Sequence, residues 1–215
     1  MMRRWMAGGG VIAGVLGLLV APAVAETSRV RTAEPTTSSA TQVAAPREAA
    51  PAEALDPATD AYVRGLKAYN ARQFDEAVRW WRRTVQLDPS SVPGQVGLGV
   101  ALLQRGETTG AEAAFRAALA HDAHDADAWA NLGTIALQRG ESLAAIDYYR
   151  KAVGCEPTDA SLWVDWAASY ANAGNLLAAE ATALNALSFQ PDSSEAQELL
   201  ERVEREFDAA AGTAP

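Results

Sequence analysis

Between Ala58 and Ser193 apolar and polar positions alternate at the spacing of an amphipathic α-helix, in paired stretches of about fourteen residues. Gly106, Gly140 and Gly174 fall between the two stretches of a pair, where a left-handed residue suits the end of a helix. Pro89, Pro157 and Pro191 close three of the pairs, because the proline ring removes a donor and clashes one turn back. Ala123 takes that place in the remaining pair. The pattern predicts an all-α chain of helical hairpins.

The hairpins recur every 34 residues. Gly65, Gly99, Gly133 and Ala167 form a column of small residues. Twelve positions on stand Ala77, Ala111, Ala145 and Ala179. Four further on come Trp81, Phe115, Tyr149 and then Ala183, followed after three more by Thr84, Ala118, Ala152 and Ala186. Trp129 and Trp163 match near the helix starts, with Leu98, Leu132 and Trp166 three residues after that place. Small residues let two helix backbones approach, and the large column fills the space beside them. No copy can bury its apolar face alone, so the copies must stack.

In period and in residue type the pattern resembles the tetratricopeptide repeat. The resemblance covers four copies, 58–91, 92–125, 126–159 and 160–193. The third is the nearest match, with Trp129, Leu132, Gly133, Ala145, Tyr149, Ala152 and Pro157 all in place. The first departs most, with Ala61 and Arg64 at places usually large and apolar, and Arg72 where later copies have glycine. The resemblance implies a right-handed superhelical solenoid of helix-turn-helix repeats. Residues 194–208 read as a capping helix. Ala196, Leu199, Leu200, Val203 and Phe207 share one face, and Leu200 or Phe207 is expected to fill the space left by Ala183. Residues 209–215 read as a disordered tail.

The ends carry other signals. Arg3 and Arg4, an apolar run from Ala7 to Val20, and Ala21-Pro22-Ala23-Val24-Ala25 make a signal peptide over residues 1–25, with cleavage after Ala25. An uncleaved N-terminal anchor is the alternative, weakened by its glycines and Pro22. After cleavage no membrane span remains. Residues 26–57 are rich in Ala, Pro, Thr and Ser and contain no aromatic residue, so they read as a disordered linker. Export across the inner membrane, to the periplasm of a Gram-negative cell, is the expected location.

The formal charge of −9 becomes −11 once Arg3 and Arg4 leave with the signal segment. So acidic a chain repels nucleic acid, which is set aside as a partner. The single cysteine, Cys155, cannot form an internal disulfide and reads as a small core residue. No phosphate-binding glycine loop or nucleophile–base pattern is present, so no enzymatic activity and no cofactor are expected. His121 and His124, among Asp122, Asp125 and Asp127, raise an alternative function, a metal-binding regulatory or hydrolytic module. The competing reading is a turn that has lost its proline, with Asp125 or Asp127 capping the next helix. Arg72, Arg79, Arg82 and Arg83 form the one basic cluster and read as a solvated outer face.

The resemblance further implies that the first helix of each copy lines a concave groove. The places that would face it are Tyr62, Val96, Ala130 and Val164; then Leu66, Val100, Thr134 and Ala168; then Tyr69, Leu103, Leu137 and Ala171; then the amides Asn70, Gln104, Gln138 and Asn172. Asn131 matches one place of the carboxylate clamp found in some members, but the basic residues of that clamp are absent. The candidate protein-binding residues are Tyr62, Leu66, Tyr69, Asn70, Val96, Val100, Leu103, Gln104, Asn131, Thr134, Leu137 and Gln138. The expected partner is a protein or peptide presenting an apolar or amphipathic segment. The expected function is that of an adaptor in cell-envelope assembly.

Overall fold

Asp56 opens the first helix, its carboxylate accepting from the amides of Ala58 and Thr59 at 3.0 Å, and Pro57 occupies the first turn, where its missing amide costs nothing. This computed structural model describes residues 55–212, and the signal-peptide and linker readings lie outside them. Nine helices are described: α1 (Pro57–Asn70), α2 (Phe74–Leu87), α3 (Val92–Gln104), α4 (Thr108–His121), α5 (Ala126–Gln138), α6 (Ser142–Cys155), α7 (Ala160–Asn172), α8 (Leu176–Phe189) and α9 (Ser194–Gly212). No strand occurs among the described residues.

The odd helices start on side-chain caps. Ser91 accepts from Gly94, Asp125 from Ala128 at 2.6 Å, and Asp159 from Ser161, with Ser193 doing the same for Ala196 before α9. They end on a left-handed residue: Gly106 (φ 80°), Gly140 (φ 76°) and Gly174 (φ 77°). The residue after each glycine then donates back to the helix, as Glu107 does to the Leu102 carbonyl and Glu141 to that of Ala136. In the first copy Arg72 adopts the same geometry at φ 58°, although it carries a side chain.

Each helix packs on the next, from α1 on α2 through α8 on α9. The odd helices also touch one another, α1 with α3, α3 with α5 and α7 with α9. No even-numbered pair among the described residues packs to that extent. The odd helices therefore form the tighter, inner layer of a curved stack, and the even helices the outer one.

The small and large columns meet in this stack. A methyl built on Gly65 would lie 2.6 Å from the Trp81 ring, one on Gly99 2.6 Å from Phe115, and one on Gly133 2.7 Å from Tyr149. Where the fourth copy has Ala167 in place of glycine, its partner is Ala183, and both are fully buried. Ala183 shares one cluster with the buried Leu199 and Val203, and the partly buried Leu200 and Phe207 pack against it. α9 also runs past residue 208 to Gly212, because Ala209, Ala210 and Ala211 are strong helix formers.

Candidate protein-binding groove

The inner layer brings the sequence columns together unequally. Tyr62, Leu66, Tyr69, Val100, Leu103 and Leu137 are half-buried and pack against the core, and the Tyr69 hydroxyl is itself shut off from solvent. Val96 and Ala130 are buried at 6% exposure each, held between helices. Asn70, Gln104 and Gln138 are exposed at the ends of α1, α3 and α5. Thr134 is half-buried; its hydroxyl lies 2.9 Å from the Tyr149 hydroxyl and 3.2 Å from the Ala130 carbonyl it donates to.

Asn131 is 8% exposed, and its amide donates to the Asp127 carbonyl at 2.7 Å. No hydrogen bond from the described residues reaches its side-chain oxygen. Asp127 stands on the same face one turn earlier. Burial, with Glu156 and Asp159 nearby, raises its carboxyl pKa. The Asp127 charge in turn adds to burial in raising the Tyr62 hydroxyl, which relates α1 to α5 across the inner layer.

Asp165, 34 residues beyond Asn131, repeats its place on α7. Burial, then Glu195 and Asp159, push its carboxyl up to about 7. No hydrogen bond reaches that carboxylate from the described residues. Its field also raises the Tyr149 hydroxyl, after burial. Asp165 was not singled out from sequence, and Asp127 was weighed only beside the histidines and as a helix cap, though the signal was present. Each is the one charged residue of its helix, ASLWVDWAASYAN and ADAWANLGTIALQ. The nearby turn arginines point their charge elsewhere: Arg105 pairs with Asp75 and Glu107, and Arg139 with Glu112.

The remaining candidates separate from this layer. His121 and His124 are exposed beside the turn before α5, and the His124 amide donates to Asp122. Among the described residues no group of three or more His, Cys, Asp or Glu side chains is placed to hold a metal ion. Asp125 caps α5 instead. Arg79, Arg82 and Arg83 are exposed on the outer α2. Cys155 is half-buried, with burial first and then Asp122, Glu156 and Asp125 raising its thiol pKa. A contact not foreseen from sequence joins the copies. The Trp129 indole donates to the Ala123 carbonyl at 2.9 Å, and Trp163 to that of Pro157 at 2.8 Å. Each tryptophan thus fastens an inner helix to the turn that precedes it.

Stacked helical hairpins with an inner layer of half-buried apolar side chains define an α-solenoid. The Tetratricopeptide repeat profile matches residues 62–125 and 96–160, and the chain is a tetratricopeptide-repeat protein. Among solved structures, "MamA 41-end from Desulfovibrio magneticus RS-1" is similar with TM-score 0.65 at 17% identity, over 71% of this chain and 86% of that one. "Crystal structure of MamA protein" gives TM-score 0.59 at 21% identity, over 71% and 88%. "Crystal structure of YrrB: a TPR protein with an unusual peptide-binding site" gives 0.59 at 18% identity, over 70% and 78%. At these identities the likeness is one of fold. No curated protein matches the chain in sequence. No described helix is long and apolar enough to cross a membrane.

Proposed function

We propose that this chain is an exported adaptor that holds a protein partner along its inner helical layer and acts in cell-envelope assembly. The observation that carries the reading is the row of half-buried Leu66, Val100, Leu103 and Leu137, which no further layer of the described chain covers. Such side chains are desolvated at little conformational cost when a partner segment lies on them, since their bases are already fixed. The peptide-binding site named for YrrB, on a similar fold, supports a peptide or protein ligand. Tetratricopeptide-repeat proteins are generally scaffolds, and this reading assigns no catalysis. Arg3, Arg4, the apolar run and Ala21 to Ala25 support export and cleavage. Amino-terminal sequencing of the protein from fractionated native cells tests the export step. A chain beginning at Glu26 in the periplasmic fraction is expected. A cytosolic chain retaining residues 1–25 would overturn it.

A further inference from the structure

The outer layer holds a cleft that the groove reading does not use. The outer helices α4 and α6 do not pack closely on each other, and a cavity of about 390 Å³ opens between them over α5. Ligand pockets usually fall between about 300 and 1,000 Å³. Leu119, Trp129, Leu132 and Tyr148 give this one apolar walls, and Arg116 and Lys151 give it two cations. The Trp129 and Tyr148 rings stack with centroids 6.0 Å apart. The indole bond to the Ala123 carbonyl already fixes Trp129, so its ring face is set before anything binds. The Lys151 ammonium stands 4.1 Å from the centre of Trp129 and 5.9 Å from that of Tyr148.

Charge at the cleft runs against that of the chain. Lys151 is exposed, and it takes part in none of the ion pairs among the described residues. Arg116 pairs with Glu112, but the same carboxylate also serves Arg139. Three cations therefore share one acid, on a protein of formal charge −9. A ring face attracts an ammonium without neutralising it, so a carboxylate is still favoured there. Nor does the repeat require these residues. One copy earlier Trp129, Tyr148 and Lys151 are matched by Gln95, Ala114 and Ala117, and one copy later Tyr148 and Lys151 by Thr182 and Asn185.

We propose that this outer cleft holds an acidic segment of a second protein partner. An Asp or Glu carboxylate of that segment lies between Arg116 and Lys151, and its adjoining aromatic or leucine side chain packs on Leu119, Trp129 and Leu132. The inference does not rest on the groove reading, because the cleft opens between outer helices and the groove is lined by inner ones. A chain with both sites joins two proteins.

The test uses the purified full-length chain and a random dodecapeptide display library as probe. Peptides retained by the parent and lost by Lys151→Glu are collected. They are expected to carry Asp or Glu beside an aromatic residue or leucine, and to bind less tightly as sodium chloride is raised. They should bind Arg116→Gln at least tenfold more weakly and Lys151→Arg nearly as well as the parent. Leu103→Glu should leave their binding unchanged, which separates them from ligands of the groove. Arg116 and Lys151 are exposed, so each variant should keep the helical circular dichroism of the parent. The proposal is overturned if no peptide distinguishes the parent from Lys151→Glu, or if the collected peptides carry no acid. Collected peptides that ignore Arg116→Gln, or that are lost with Leu103→Glu, would overturn it as well.

Discussion

Adding one methyl group at Gly99 probes the packing rule that generates this solenoid. A methyl on Gly99 would lie 2.6, 2.7 and 2.9 Å from three ring carbons of Phe115, which is fully buried and cannot swing into solvent. Overpacking of this kind costs about 1–3 kcal/mol, and the close approach to a ring places it in the upper half of that range. Alanine regains about 1 kcal/mol of helix propensity over glycine. Gly99→Ala should therefore lose about 1–2 kcal/mol net, a fall of roughly 2–8 °C in melting temperature for a domain of this size. Phe115→Ala alone should lose about 3–5 kcal/mol through the cavity it opens. The double variant reproduces the Ala167–Ala183 pair of the fourth copy, since each alanine relieves the defect of the other. Its loss should fall short of the sum of the single losses by about 1–3 kcal/mol. Urea denaturation of all four proteins, followed by circular dichroism, measures this coupling. Additive losses, or a Gly99→Ala protein more stable than the parent, would refute the claim that the small column exists to admit the ring.

Other outcomes follow from individual residues. Arg72 holds φ 58°, which costs a side-chain-bearing residue about 1 kcal/mol, so Arg72→Gly should raise the urea midpoint by about that much; an unchanged or lower midpoint would contradict it. Burial, then Glu195 and Asp159, raise the Asp165 carboxyl from the ordinary aspartate range to about 7 in the fold, so the native state binds the extra proton. Stability should then be fully present below pH about 4 and fall as pH rises toward 7. Asp165→Asn should match the parent at pH 4 and exceed it at pH 8, by at most about 4 kcal/mol. Equal stability of the two proteins at both pH values would count against the buried carboxyl. Leu103→Glu should keep the helical spectrum and weaken partner binding at least tenfold, since burying a leucine is worth about 1.5–3 kcal/mol. Loss of the helical spectrum would make Leu103 a core residue.

How far the sequence discloses the molecule depends on which residues carry the information. The repeat is legible because small and large columns are set by contact, and Ala167 with Ala183 shows the rule holding when both change. The cap positions and the glycine turns are legible because few residues tolerate those backbone geometries. Arg72 was visible as a departure, but its cost needed the backbone angle. The order of burial along α9 was not legible. Leu199, Leu200, Val203 and Phe207 share one face of α9, and only packing decides that Val203 is buried completely while Phe207 stays at the edge. The indole bonds of Trp129 and Trp163 were hidden for a similar reason, since they join residues on either side of a turn whose path sequence does not specify. Asp165 is the instructive omission, and Asp127 was read only as a helix cap or a neighbour of the histidines. A lone acid in an apolar helix is easily read as solvated, and the curvature of the stack turns it inward.

The central claim, a partner held on the inner layer in the envelope, is tested most directly by photocrosslinking in cells that produce the chain natively. A benzophenone amino acid is placed at Leu103, at Gln138, or at the exposed outer residue Arg82. The account predicts that positions 103 and 138 capture the same envelope protein and that position 82 does not. Crosslinks from position 82 alone, or to cytosolic proteins alone, would contradict it.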